Sequence, residues 1–117
     1  MRSRAGLFLD EISRRRSVRH FSSDPVPLDI LQTCIEAAAT APSGANKQPW
    51  TFVLVTDHAL KKQIRIAAEE EEHSFYDGRA SERWLEDLQP FQTDANKPML
   101  EDAPALIAVM EIGRAHV

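Results

Sequence analysis

The chain has 117 residues, of which 43% are hydrophobic and 27% charged, with a formal charge of −4. That composition fits one globular domain with a modest core, and its acidic balance argues against general nucleic-acid binding. The single cysteine, Cys34, excludes an intrachain disulfide and fits a reducing, cytoplasmic setting. The longest apolar run near the N-terminus, Gly6–Leu9, is too short for a signal-peptide core or a membrane span, so no membrane partner is expected.

Residues 3–14 fit a short helix with Leu7, Phe8 and Ile12 on one stripe. The basic stretch Arg14-Arg15-Arg16-Ser17-Val18-Arg19 follows, then His20 and Phe21. Six arginines against two carboxylates in residues 1–20 make this end a local anion site on an acidic protein. A guanidinium offers a fixed fork of donors that matches phosphate oxygens, and a serine hydroxyl adds another. In extended chain Arg15, Ser17 and Arg19 share one side, with Arg16 and Val18 opposite. A solvated basic turn has the same composition. Phe21 is expected to anchor the far end in a core.

Pro25 and Pro27 bar helix before them. From Pro27 the apolar positions Ile30/Leu31, Cys34/Ile35, Ala38 and Ala41 recur at helical spacing, with Asp29 in the first turn, and the helix ends before Pro42. Ala41–Asn46 is a loop of small residues in which Gly44 can take positive φ and bring backbone N–H groups close to a ligand. An ordinary turn between helix and strand is the plainer alternative. Trp50–Val55 reads as a strand buried on both faces. Thr56-Asp57 caps the next helix, whose inner face is Leu60, Ile64, Ala67 and Ala68. Three of the four glutamates Glu69–Glu72 read as a solvated face, while Glu72 shares a side with Tyr76 four positions on. Gly78 interrupts the helix.

Ser81–Leu88 reads as a short amphipathic helix. Trp50 is expected in the core, and Trp84 either there or over a ligand. Lys97-Pro98 opens a short turn or helix, and Ala105–Met110 is a second buried strand. Two strands alone do not make a stable sheet. Residues 1–111 therefore read as the N-terminal part of one domain cut mid-sheet, and 112–117 as a non-native tail.

Three segments together carry a resemblance: Arg15-Arg16-Ser17-Val18-Arg19, Ala41-Pro42-Ser43-Gly44-Ala45 and Pro49-Trp50-Thr51-Phe52-Val53. They resemble the flavin-binding nitroreductase superfamily, and with Glu72, Tyr76 and Lys97 added they look most like its iodotyrosine deiodinase branch. The resemblance implies an α+β fold with a mixed, largely antiparallel central sheet flanked by helices, here truncated after the second strand. It implies FMN as cofactor, held by Arg15, Arg16, Ser17, Val18, Arg19 and, across a homodimer interface, Ser43. It also implies that the Ala45 N–H meets the substrate's phenolate oxygen, and that Glu72, Tyr76 and Lys97 close over its amino-acid end. No metal site is expected.

The chemistry of the last three residues is self-consistent. A zwitterionic amino acid needs an acceptor for its ammonium and a donor for its carboxylate, which Glu72 and Lys97 supply, while Tyr76 donates or accepts. Taken singly, Glu72 and Lys97 read as surface charges. The expected activity is reductive dehalogenation of halogenated tyrosines, with NAD(P)H or a reductase as electron donor. A general FMN-dependent nitroreductase or quinone reductase is the alternative, and a non-catalytic anion-binding module a further one.

Overall fold

A computed structural model of the chain describes residues 1–79, 81–89 and 94–111. In chain order the elements are α1 (Arg2–Ser13), α2 (Leu28–Ala38), a 3-10 turn (Gly44–Asn46), β1 (Trp50–Val55) and α3 (His58–Ser74). A wide π turn (Phe75–Arg79), α4 (Glu82–Leu88), α5 (Met99–Asp102) and β2 (Leu106–Glu111) follow. Their starts lie within a residue or two of the expected places, while α2 ends at Ala38, three residues short of the expected Ala41. The tail at 112–117 lies outside the described residues.

The boundaries have local causes. The Asp57 carboxylate accepts the Leu60 N–H at 2.8 Å and starts α3. The Ser81 hydroxyl accepts the Trp84 N–H at 3.2 Å and starts α4. Each satisfies a first-turn donor that has no partner inside its helix. α2 begins after Pro27 with Asp29 at its positive end. Gly78 sits in the π turn, so the α-helix stops at Ser74 and Tyr76 lies on the widened turn.

β1 and β2 pair antiparallel, with Trp50 opposite Glu111 and Val55 opposite Leu106. Burial on both faces is not what the pair has. Trp50, Phe52 and Leu54 are half-buried and Val55 buried, whereas Thr51 and Val53 are exposed, as is β2 beyond Leu106. One face of the ribbon is covered and the other is open. The α2 stripe narrows to Leu31, Ile35 and Ala39, with Ile30, Cys34 and Ala38 exposed. Leu7, Phe8 and Ile12 of α1 face solvent. Phe21 is exposed too, and lines an apolar groove of about 370 Å³ with Val26, Leu31, Leu100, Pro104 and Ile107.

Val55 and Ala103 are the buried apolar residues among those described. The accessible surface is 9918 Å², against roughly 6,400 Å² for a compact chain of this mass. The radius of gyration is 17.9 Å, against about 13 Å for a compact domain of this length. Its layers are open rather than closed on one another. Among the described residues no helix is long and apolar enough to cross a membrane.

Candidate functional site

The basic stretch leaves α1 as irregular, exposed chain. Arg16 Nη1 donates to the carbonyls of Ser13 at 2.7 Å and Arg15 at 2.9 Å, closing the C-terminal end of α1. Arg15 and Arg19 pair with no carboxylate among the described residues. With the exposed Ser17 hydroxyl they form a donor set that fits a phosphate monoester and has no internal anion to neutralise it. Val18 beside them is exposed.

The loop before β1 is built differently from expectation. Positive φ occurs at Ala45 (52°), Asn46 (53°) and Gln48 (48°), whereas Gly44 has no left-handed φ. The loop is held by Asn46 N–H donating to the Ser43 carbonyl at 3.0 Å and Lys47 N–H to the Gly44 carbonyl at 3.1 Å. Gln48 N–H donates to Ser43 Oγ at 2.9 Å, which leaves the Ser43 hydroxyl proton to donate elsewhere. The N–H groups of Gly44 and Ala45 have no hydrogen-bond partner among the described residues. The left-handed turn thus presents two adjacent donors, a fit for an oxyanion.

The acidic end of α3 brings two of the expected residues together. Lys97 Nζ lies 3.8 Å from Glu72 Oε2 and donates to the Asp94 carbonyl at 2.8 Å. Tyr76 is half-buried one turn beyond Glu72. Its ring meets Phe75 edge-on at 5.4 Å, and Phe75 meets Trp84 edge-on at 5.6 Å. Trp84 itself remains exposed, so it is not a core residue in this chain.

The inner face of α3 departs most from the sequence expectation. Leu60 and Ala67 are exposed, while Lys61 is buried and Arg65 and Glu69 are half-buried alongside Ile64 and Ala68. Lys61 Nζ donates to the Ala103 carbonyl at 2.8 Å. Arg65 bridges Glu69 Oε1 at 2.7 Å and Glu101 Oε1 at 3.1 Å, and His58 Nε2 lies 3.7 Å from Glu101 Oε2. Glu69 Oε1 also accepts the Lys97 N–H at 2.9 Å. So Glu69 is not part of a solvated face: it ties two segments together. The Arg65 guanidinium, and then the Lys97 N–H, hold the Glu69 carboxyl below its ordinary value. Its ion pair with Glu69 raises Arg65 in turn. A lowered carboxyl contributes its stability above the ordinary value of 4.5 and loses it only as pH falls through the lower folded value.

The expected residues fall into separate sets, the basic stretch, the Ser43–Gln48 loop, and Glu72 with Lys97; no hydrogen bond or ion pair joins one set to another among the described residues. Tyr76 lines an opening of about 360 Å³ with Leu85, Leu88 and Gln89. The other expected residues line neither that opening nor the apolar groove.

The nitroreductase family model matches residues 12–116. Iodotyrosine deiodinase of Haliscomenobacter hydrossis is 52% identical over 109 residues, covering 93% of this chain and 49% of the relative. Iodotyrosine deiodinase 1 of Rattus norvegicus is 45% identical over 111 residues, covering 95% and 39%. A crystal structure of oxidized iodotyrosine deiodinase bound to FMN and 3-iodo-L-tyrosine superposes with a TM-score of 0.80 at 39% identity, over 86% of this chain and 54% of that one. The chain thus spans about half the length, or less, of these relatives. The match runs through the arginine stretch, the loop of small residues and both strands, and the backbone follows the same path: the chain belongs to the nitroreductase family.

Proposed function

We propose that the protein is an FMN-dependent oxidoreductase that removes halogen reductively from halogenated tyrosines. The observation that carries this reading is the pairing of Lys97 Nζ with Glu72 Oε2 at 3.8 Å, beside Tyr76. A carboxylate and an ammonium on adjoining segments match the two ends of an amino acid, and a neutral aromatic needs neither. Similarity to iodotyrosine deiodinases adds to it.

In this reading Arg15, Arg16, Ser17 and Arg19 grip the flavin phosphate and ring edge, with Val18 against them. Arg16 would exchange its helix-end carbonyls for that anion. Ser43 donates its hydroxyl proton to the flavin of the opposite protomer in a homodimer. FMN, when bound, supplies the electrons, and NAD(P)H or a partner reductase replenishes them. The net change adds two electrons and one proton, so that a C–H bond replaces C–I and iodide leaves. The Ala45 N–H holds the phenolate oxygen as charge shifts on the ring. Glu72, Tyr76 and Lys97 fix the amino-acid end and exclude water.

Titration of the FMN-loaded protein with 3-iodo-L-tyrosine, followed by flavin fluorescence, tests the reading. Saturable quenching at low micromolar ligand is expected, weakened at least about tenfold in Lys97→Ala. No quenching, with nitroaromatics still reduced, would move the assignment to a general FMN-dependent nitroreductase or quinone reductase.

A further inference from the structure

Glu69 and Glu72 lie three positions apart on α3, and both reach the same residue. Glu72 Oε2 faces the Lys97 ammonium, and Glu69 Oε1 accepts the Lys97 backbone N–H at 2.9 Å. Lysine has a flexible four-carbon stem, so where its ammonium can go depends on where its backbone is pinned. Pro98 follows directly and has no N–H, so the Lys97 N–H is the donor that fixes the chain as it enters α5. Arg65 holds the accepting oxygen from the other side at 2.7 Å, so Glu69 does not swing freely. The Asp94 carbonyl takes one ammonium proton at 2.8 Å, which leaves two others to donate, with Glu72 Oε2 3.8 Å from the nitrogen.

We infer that Glu69 is a positioning residue for amino-acid recognition: by tying the Lys97 backbone to α3 it sets the ammonium where a substrate carboxylate meets it. This rests on the halotyrosine reading above. Glu69 touches no substrate in this scheme. It acts through Lys97, and its removal weakens ligands that carry a carboxylate while sparing those that do not.

The FMN-loaded protein is titrated with 3-iodo-L-tyrosine and with 2-iodophenol, which lacks the amino-acid end, in the parent, Glu69→Ala, Glu69→Gln and Lys97→Ala forms. Glu69→Ala is expected to weaken 3-iodo-L-tyrosine about tenfold and to leave 2-iodophenol unchanged. Glu69→Gln keeps an oxygen that can accept the Lys97 N–H, and is expected to stay within about threefold of the parent. Equal weakening of both ligands in Glu69→Ala overturns the positioning role, as does unchanged binding of both. If the parent discriminates through Lys97 and Glu69→Ala still does, only the positioning role falls. If the parent binds 3-iodo-L-tyrosine no better than 2-iodophenol, the halotyrosine reading falls and takes the role with it. Should Glu69→Ala lose its flavin, exchange of the Lys97 amide in the parent decides. An anchored N–H is protected at least about tenfold over unstructured chain, and exchange at the unstructured rate overturns the anchor.

Discussion

Ala45 shows how a single residue can hold a loop in a conformation its side chain resists. At φ 52° its Cβ crowds the following carbonyl, a strain of about 1–2 kcal/mol for an L-residue. Glycine there would relieve that strain but loses about 0.4–1 kcal/mol through the unfolded chain, so Ala45→Gly is expected to lie between neutral and about 1.6 kcal/mol stabilising. A β-branched residue gains nothing and crowds further. Ala45→Val is therefore expected to destabilise by at least about 1 kcal/mol. Gly44 behaves oppositely: it has no left-handed φ and open space where a side chain would start. Gly44→Ala is expected to be neutral or to stabilise by up to about 1 kcal/mol. Urea denaturation of the three variants of the FMN-loaded protein checks the order, and a Gly44→Ala more damaging than Ala45→Val would sink it. The glycine in the sequence drew attention to the right loop and the wrong residue, because the permissive residue need not be the one that turns.

Among the elements, α3 is legible at its start and not along its buried face. Asp57 marks the cap by a local rule, whereas the Glu72–Tyr76 spacing presumes a continuing helix, and the α-helix stops at Ser74 with Tyr76 on the π turn. Hydrophobic periodicity then assigned Leu60 and Ala67 to the interior, where the structure instead has Lys61, Arg65 and Glu69. Periodicity assumes that charged residues face water, but a long basic stem can lie against apolar surface while its end meets a carbonyl on another segment. The partners, Ala103 and Glu101, lie some forty positions away and leave no local signature. The Arg65–Glu69 spacing of four was the available sign, and it marks only a helix pair. Lys61→Met tests the longest-range tie. It keeps the stem but strands the buried Ala103 carbonyl, and a hydrogen bond to a charged group contributes about 1.5–3 kcal/mol. In the FMN-loaded protein, denaturation midpoints are expected to fall accordingly with an unchanged slope. A loss under about 0.5 kcal/mol would mean that water replaces the ammonium.

The molecule as a whole exposes about 3,500 Å² more surface than a compact chain of its mass. A standard protein interface covers about 800 Å² on each partner, and obligate ones about 1,000–2,500 Å². Among the described residues, particular features are open to solvent. They are the apolar stripe of α1, the Thr51/Val53 face of β1, β2 beyond Leu106, and the groove under Phe21. The two strands are readable from their apolar runs, but their pairing with each other and the number of layers over them are not, since composition says what can be buried and not what covers it. Two strands with one open face are marginal in water. Residues 1–117 alone are therefore expected to self-associate, to bind a hydrophobic dye, and to unfold without a sharp transition. Sedimentation at low micromolar concentration reads the first directly. A single species at 13.2 kDa that also unfolds cooperatively would show that the chain closes its own core, and the open faces described above would then be wrong.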